Sequence, residues 1–184
     1  MPDLRFRALA GAVLSALPLV LAQPAAQAAP RQVEVLRYDS SQAAEFQAAV
    51  DEAAEAWNKV LTNVRLEKGQ PGSSDIRVKA DDGWPRSLLG PVHRGDEGQV
   101  WMGRKAVQDG FHPPRIMAHE FGHILGLPDR RNGRCDYLMS GHSSPKDCRT
   151  TAPHDSERQS ADAEYARAVA ADPRRTRQLV VAFR

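Results

Sequence analysis

Residues 115–129 read Arg-Ile-Met-Ala-His-Glu-Phe-Gly-His-Ile-Leu-Gly-Leu-Pro-Asp. His119 and His123 are four apart, so on an α-helix both imidazoles leave the same face and can grip one metal ion. Glu120, beside the first imidazole, can reach a water on that ion without being a ligand itself. Ile116, Met117, Phe121, Ile124 and Leu125 supply the apolar surroundings that bury such a helix. Gly126 ends it, because a residue without Cβ enters the left-handed conformation at least cost. The chain can then turn back and bring Asp129 to the same ion as a third ligand. Two imidazoles and one carboxylate leave a coordination position open, the arrangement of a catalytic zinc rather than a structural one. Zinc polarises a carbonyl and lowers the pKa of water from about 15.7 toward 7. Glu120 is then the general base that takes a proton from the attacking water and passes it to a leaving amine. The stretch points to amide hydrolysis through a metal-activated water.

Outward from this helix, the chain reads as one α+β domain. Val33 and Val35 alternate with polar residues as a short strand, and Ser40 or Ser41 is placed to cap the helix that follows. In that helix Phe46, Val50, Ala53, Trp57, Val60 and Leu61 form a single apolar stripe destined for the core. Residues 64–67 and 75–80 alternate again around the turn Gly69-Gln70-Pro71-Gly72 and predict two more strands. Residues 81–98, rich in Gly, Pro and charge, read as loop, and residues 99–102 as a further strand. A final helix is expected over residues 155–170, stopped by Asp172-Pro173.

The two ends have a different character. Arg5 and Arg7 precede an apolar run over residues 8–22, and Ala26-Gln27-Ala28 offers small residues where a signal peptidase cuts. Residues 1–28 are therefore read as a signal peptide, too short and too interrupted by Pro18 to span a bilayer. Residues 29–171 form the expected catalytic domain. Residues 172–184 are a basic, then apolar tail, read as a loosely docked or mobile end. With 25 Lys and Arg against 23 Asp and Glu among 184 residues, the net charge is +2. That balance excludes the broad basic face of a nucleic-acid binder, and no other stretch is apolar enough for a membrane. Cys135 and Cys148, an even count in an exported chain, favour one disulfide over two free or metal-bound thiols.

The pattern HExxHxxGxxD, followed by a cysteine and then Leu138-Met139-Ser140-Gly141, resembles the snapalysins, small secreted neutral zinc metalloproteases of the metzincin clan. The resemblance runs from about Val33 to Ala170 and is densest over 115–148. It implies a small twisted mixed sheet with about three helices and a Met-turn. It assigns one zinc ion to His119, His123 and Asp129, puts Met139 in the turn beneath the metal, and matches Cys135 and Cys148 to the family disulfide. It implies a monomer acting on peptides or proteins, with a large apolar or aromatic residue favoured after the scissile bond. Val100 and Trp101 fall where the family's edge strand aligns an extended peptide; a core Trp is an equal reading. Three positions depart from the pattern. Arg131 stands where the family has a Tyr that hydrogen-bonds the transition-state oxyanion, and an Arg there can donate with altered geometry. The family's calcium ligands fall on His112 and Pro114, so no calcium is expected, and Asp109 could serve only after rearrangement of its loop. Of the other histidines, His93 and His154 read as exposed, and His142, which follows the Met-turn, could approach a substrate. Because of Arg131, a non-catalytic secreted zinc-binding module is the alternative to an enzyme.

Overall fold

The computed structural model describes residues 32–166 and 179–180. The leader over 1–28, the end of the final predicted helix over 167–170 and the rest of the 172–184 tail lie outside the described residues. Strand β1, Glu34–Gln42, runs well past the expected pair of valines, with Leu36 and Tyr38 buried along it. Ser40 and Ser41 therefore belong to the strand and cap no helix. Instead, a 3-10 turn at Ala44–Phe46 leads into α1, Gln47–Asn58, without a side-chain cap. Val50, Ala53 and Trp57 of its stripe are fully buried, and Phe46 is buried in the turn before it. Val60 and Leu61 lie past the helix end and pack against the core's margin.

Strands β2, Val64–Lys68, and β3, Ile76–Asp81, follow as the alternation predicts. The stretch over 81–98 is not all loop: Arg86–Leu88 forms strand β4. Strand β5, Gly98–Gly103, runs directly into a short helix, α2, Arg104–Gln108, for which the sequence held no periodic signal. The longer helices α3, Pro113–Ile124, and α4, Asp155–Ala166, complete the set. Last comes β6, Leu179–Val180, a two-residue strand taken from the stretch read as a loose tail.

The sheet order is β2-β1-β3-β5-β4-β6. The first four strands are parallel; β4 runs antiparallel to β5, and β6 antiparallel to β4. This is the mixed sheet of an α+β fold. Alternate residues of β3 and β5 are buried while their neighbours are half-buried, so one face takes the core. On that core face α1 packs against α3 and β2, and α3 against β4 and β5. One buried hydrogen bond ties the two helices, from Trp57 Nε1 to the Ala118 carbonyl at 2.8 Å. Because β5 lies between β3 and β4, Val100 and Trp101 occupy no edge. Val100 is fully buried, and Trp101 carries the Arg86 guanidinium 4.8 Å above its ring. No helix among the described residues is long and apolar enough to cross a membrane.

Candidate metal centre

Helix α3 starts on Pro113 and Pro114, which need no intrahelical N–H partner in the first turn. Every residue from Arg115 to Ile124 is buried. The helix is enclosed on all sides, which is why it can hold polar ligands out of bulk water. Its exit follows the glycine signal. Gly126 has φ +97°, and its N–H reaches the His123 carbonyl while the Leu127 N–H reaches the Gly122 carbonyl, each at 2.9 Å. This paired closure turns the chain so that the Leu127 carbonyl faces back toward His123.

The turn also brings Asp129 onto the two imidazoles. Asp129 Oδ1 lies 3.2 Å from His119 Nε2 and 3.5 Å from His123 Nε2. The imidazole rings stand at 89° to each other with centroids 4.6 Å apart. Each Nδ1 meets a carbonyl, His119 on Leu138 at 2.9 Å and His123 on Leu127 at 2.6 Å. A carbonyl only accepts, so Nδ1 must carry the proton in both rings, and both Nε2 atoms turn to Asp129. Nε2 of His123 and Oδ1 of Asp129 are buried without a hydrogen bond. That deficit, together with two imidazoles and a carboxylate on one point, fits zinc. Among the described residues this trio is the one group of three metal-ligating side chains whose donor atoms converge, within 4.8 Å of one another.

The charges agree with the geometry. Burial pushes the His119 imidazole down to about 4, so it stays neutral. Burial pushes His123 down too, but Asp129 and Glu120 outweigh it and raise its pKa. Burial would raise Asp129, yet the two imidazoles hold it well below the usual carboxylate range. Glu120, fully buried, is pushed up to about 7 by desolvation, against the opposing pull of His123 and of a hydrogen bond from Ser87. That bond runs from Ser87 Oγ on β4 to Oε2 at 2.7 Å, leaving Oε1 buried without a partner.

Beneath the trio lies the segment Leu138–Ser143, a 3-10 turn broken at Gly141, with Leu138 and Met139 buried. The Met139 thioether packs against Gly122 so closely that a Cβ there would collide with its Sδ. From α4, Glu157 accepts the N–H groups of Leu138 and Met139, each at 2.9 Å, and of His154 at 2.8 Å. The carbonyl that orients His119 therefore belongs to a turn pinned by Glu157. Arg115, one helical turn before His119, donates to the carbonyls of Cys135, Thr150 and Tyr137 at 2.9–3.0 Å. A disulfide joins Cys135 to Cys148 in the same region.

Other predicted positions are less central. Arg131 is half-exposed, has φ +45°, and places its guanidinium 3.4 Å from Oδ2 of Asp129. His112 precedes α3 at its N-cap, Pro114 lies in the first turn, and Asp109 ends α2. His93 and His154 are half-buried, not exposed: His93 meets Glu34 at 3.1 Å and His154 stacks on Tyr137 at 4.0 Å. His142 is half-buried next to the Met139 turn. Three residues that shape the site had no place in the sequence reading: Ser87, Glu157 and Gly122. Only Gly122 left a signal, as a glycine between His119 and His123 where a helix would rather have Ala.

Residues 33–168 match the family described as Streptomyces extracellular neutral proteinase (M7). The chain is 30% identical over 133 residues to an extracellular small neutral protease of Streptomyces coelicolor, covering 72% of this chain and 60% of that one. It is 33% identical over 130 residues to the extracellular small neutral protease of Streptomyces caespitosus, covering 70% of this chain and 95% of that one. The chain thus spans between half and two thirds of three curated relatives and nearly all of a fourth. Among solved structures, the high choriolytic enzyme 1 of Oryzias latipes, a hatching enzyme zinc-protease, aligns over 52% of this chain and 44% of that one. Its identity is 26% and its TM-score 0.39, too slight a likeness to bear on the fold.

Proposed function

Because this chain belongs to the Streptomyces extracellular neutral proteinase family, we propose that it is a secreted zinc endopeptidase. Its preferred bond has a large apolar or aromatic residue on the side of the leaving amine. The observation that carries the proposal is the convergence of His119, His123 and Asp129 beside a buried Glu120 whose pKa is about 7. In this reading His119, His123 and Asp129 hold zinc. Zinc, when bound, supplies Lewis acidity that polarises the scissile carbonyl and acidifies water.

The protein's own groups supply the rest. Glu120 Oε1, buried and without a partner, is the atom that receives the proton of the attacking water, while Ser87 steadies Oε2. The same carboxyl then gives the proton up to the leaving amine. The Leu138 and Leu127 carbonyls keep both imidazoles in one tautomer through this cycle. Arg131, whose guanidinium lies 3.4 Å from Oδ2 of Asp129, takes the place of the family's oxyanion-binding Tyr. The relatives named above are called extracellular, and the leader over 1–28 supports the same compartment for this chain.

A second reading has one observation in its favour. Arg131 is engaged with Asp129 instead of pointing to a separate oxyanion position, as suits a zinc-binding module without turnover. Glu120→Ala separates the two. The variant is expected to keep one equivalent of zinc and to lose chelator-sensitive cleavage of casein and of a Phe-containing peptide. Zinc binding with no cleavage by the unaltered chain would establish the module, and unchanged cleavage by the variant would sink the mechanism.

A further inference from the structure

Strand β4 stands in an unusual position. On one side Ser87 pairs with Val100 of β5, and on the other with Val180 of β6. The Ser87 side chain, fully buried, donates to Glu120. The same residue thus touches the acid–base carboxylate and carries the outermost strand of the sheet. Without β6, the outer rim of β4 would be a free edge beside the reactive centre, a row of backbone N–H and C=O groups that an extended peptide can join. Here that row is already taken. Val180 lies opposite Ser87 and Leu179 opposite Leu88, both of them residues that favour strands.

The occupant is held lightly. It has two residues in register, and Leu179 is 48% exposed. Its ladder to β4 is two residues long, as is that of β4 on β5, whereas β1 pairs with β2 over five residues and β3 with β5 over six. Such a strand can leave and return while the domain stays folded.

On the peptidase reading an extended peptide pairs with the outer edge of β4, and from this arrangement we propose that Leu179–Val180 is a resident occupant of that edge, competing with substrate. The proposal rests on the peptidase reading. A peptide binds only to the fraction of molecules whose edge is open, so its apparent affinity falls by that fraction. The segment read from sequence as a loose tail becomes a built-in competitor.

The test compares the full chain with Leu179→Pro/Val180→Pro, which removes both β6 N–H groups without shortening the protein. Both are made on a Glu120→Ala background, and the Kd of a fluorescein-labelled Ala-Ala-Phe-Ala-Ala peptide is measured by fluorescence anisotropy at saturating zinc. The proline variant is expected to bind about threefold to tenfold more tightly, the factor set by one or two backbone hydrogen bonds. A chain ending at Gln178 should show the same gain. Equal affinity in all three, at equal zinc content, overturns the proposal, as does failure of the peptide to bind any of them. With Glu120 restored, KM should fall by the same factor while kcat holds. Absence of hydrolysis in every chain would overturn the peptidase reading alone, because the anisotropy still decides who occupies the edge.

Discussion

A methyl group at Gly122 has nowhere to go. The helix places this residue between His119 and His123, and the Met139 thioether fills the space a Cβ would need, with Trp57 close behind. Gly122→Ala gains helix propensity and loses far more by overpacking. It is expected to cost about 2 kcal/mol by the scale of overpacked cores, read as a lower urea midpoint with an unchanged slope. Zinc affinity should fall as well, because the turn that must move carries the carbonyl holding His119. At the same scale, Met139 earns its position by shape: a flexible thioether reaches under a helix where a branched side chain would not.

At the scale of elements, the floor of the site is held from a distance by α4. Glu157 lies in the first turn of that helix, 3% exposed, and satisfies three backbone donors. Glu157→Ala leaves the Leu138 and Met139 donors buried and unpaired and should destabilise the protein by about 3 kcal/mol, at 1–3 kcal/mol per orphaned group. Guanidinium melts would show this, and competition with a chromogenic chelator should show weaker zinc binding. Asp162, one further face along α4, accepts the N–H groups of Thr62 and Asn63 and so ties the helix to the start of β2. Burial would raise its pKa, but those hydrogen bonds outweigh it and hold the carboxyl below its usual value. A depressed folded-state pKa contributes stability that is present above the unfolded value of about 3.9 and lost as the pH falls through the folded one. Asp162→Asn should therefore be less stable at pH 7, by about 2 kcal/mol on the scale of charged hydrogen bonds. It should also lose less between pH 5 and pH 2 than the unaltered chain. A pH series of urea melts checks both halves, and a parallel acid loss in the two proteins would refute the assignment.

Over the whole molecule, the disulfide between Cys135 and Cys148 closes the irregular stretch between α3 and α4. Replacing both cysteines with Ala should cost about 3 kcal/mol in the chain-entropy account of a loop of this size, visible as a lower thermal midpoint. The same view shows what could be read in advance. Long elements announce themselves: the stripe through Trp57 and the alternation along β2 and β3 each cover more than one period, so α1 and most of the sheet were legible. Strand β4 has three residues and α2 five, too few to establish either period, and the Gly- and Pro-rich surroundings of β4 masked it. The converging trio was legible because two of its members lie one turn apart on a helix and the third follows a glycine stop. Ser87 and Glu157 were not, since they reach the site across 33 and 18–19 residues, and nothing local distinguishes such a serine or glutamate from a solvated one. The half-buried states of His93 and His154 were hidden for the same reason: their partners Glu34 and Tyr137 are distant in sequence.

Arg115, His119 and His123 succeed one another at single-turn intervals, and each grips main-chain oxygen: the carbonyls of Cys135, Tyr137 and Thr150, then Leu138, then Leu127. A carbonyl is common to all twenty amino acids. Much of the long excursion after the helix is therefore moulded through groups that mutation cannot delete, and apart from Asp129, Met139 and the two cysteines most of its side chains are released from the task of shaping the centre. Most positions over 130–150 should accept replacement freely, whereas adding or removing a residue would slide the oxygens off their teeth. Diversification of this surface by substitution, with its length conserved, is the evolutionary latitude that such a comb permits.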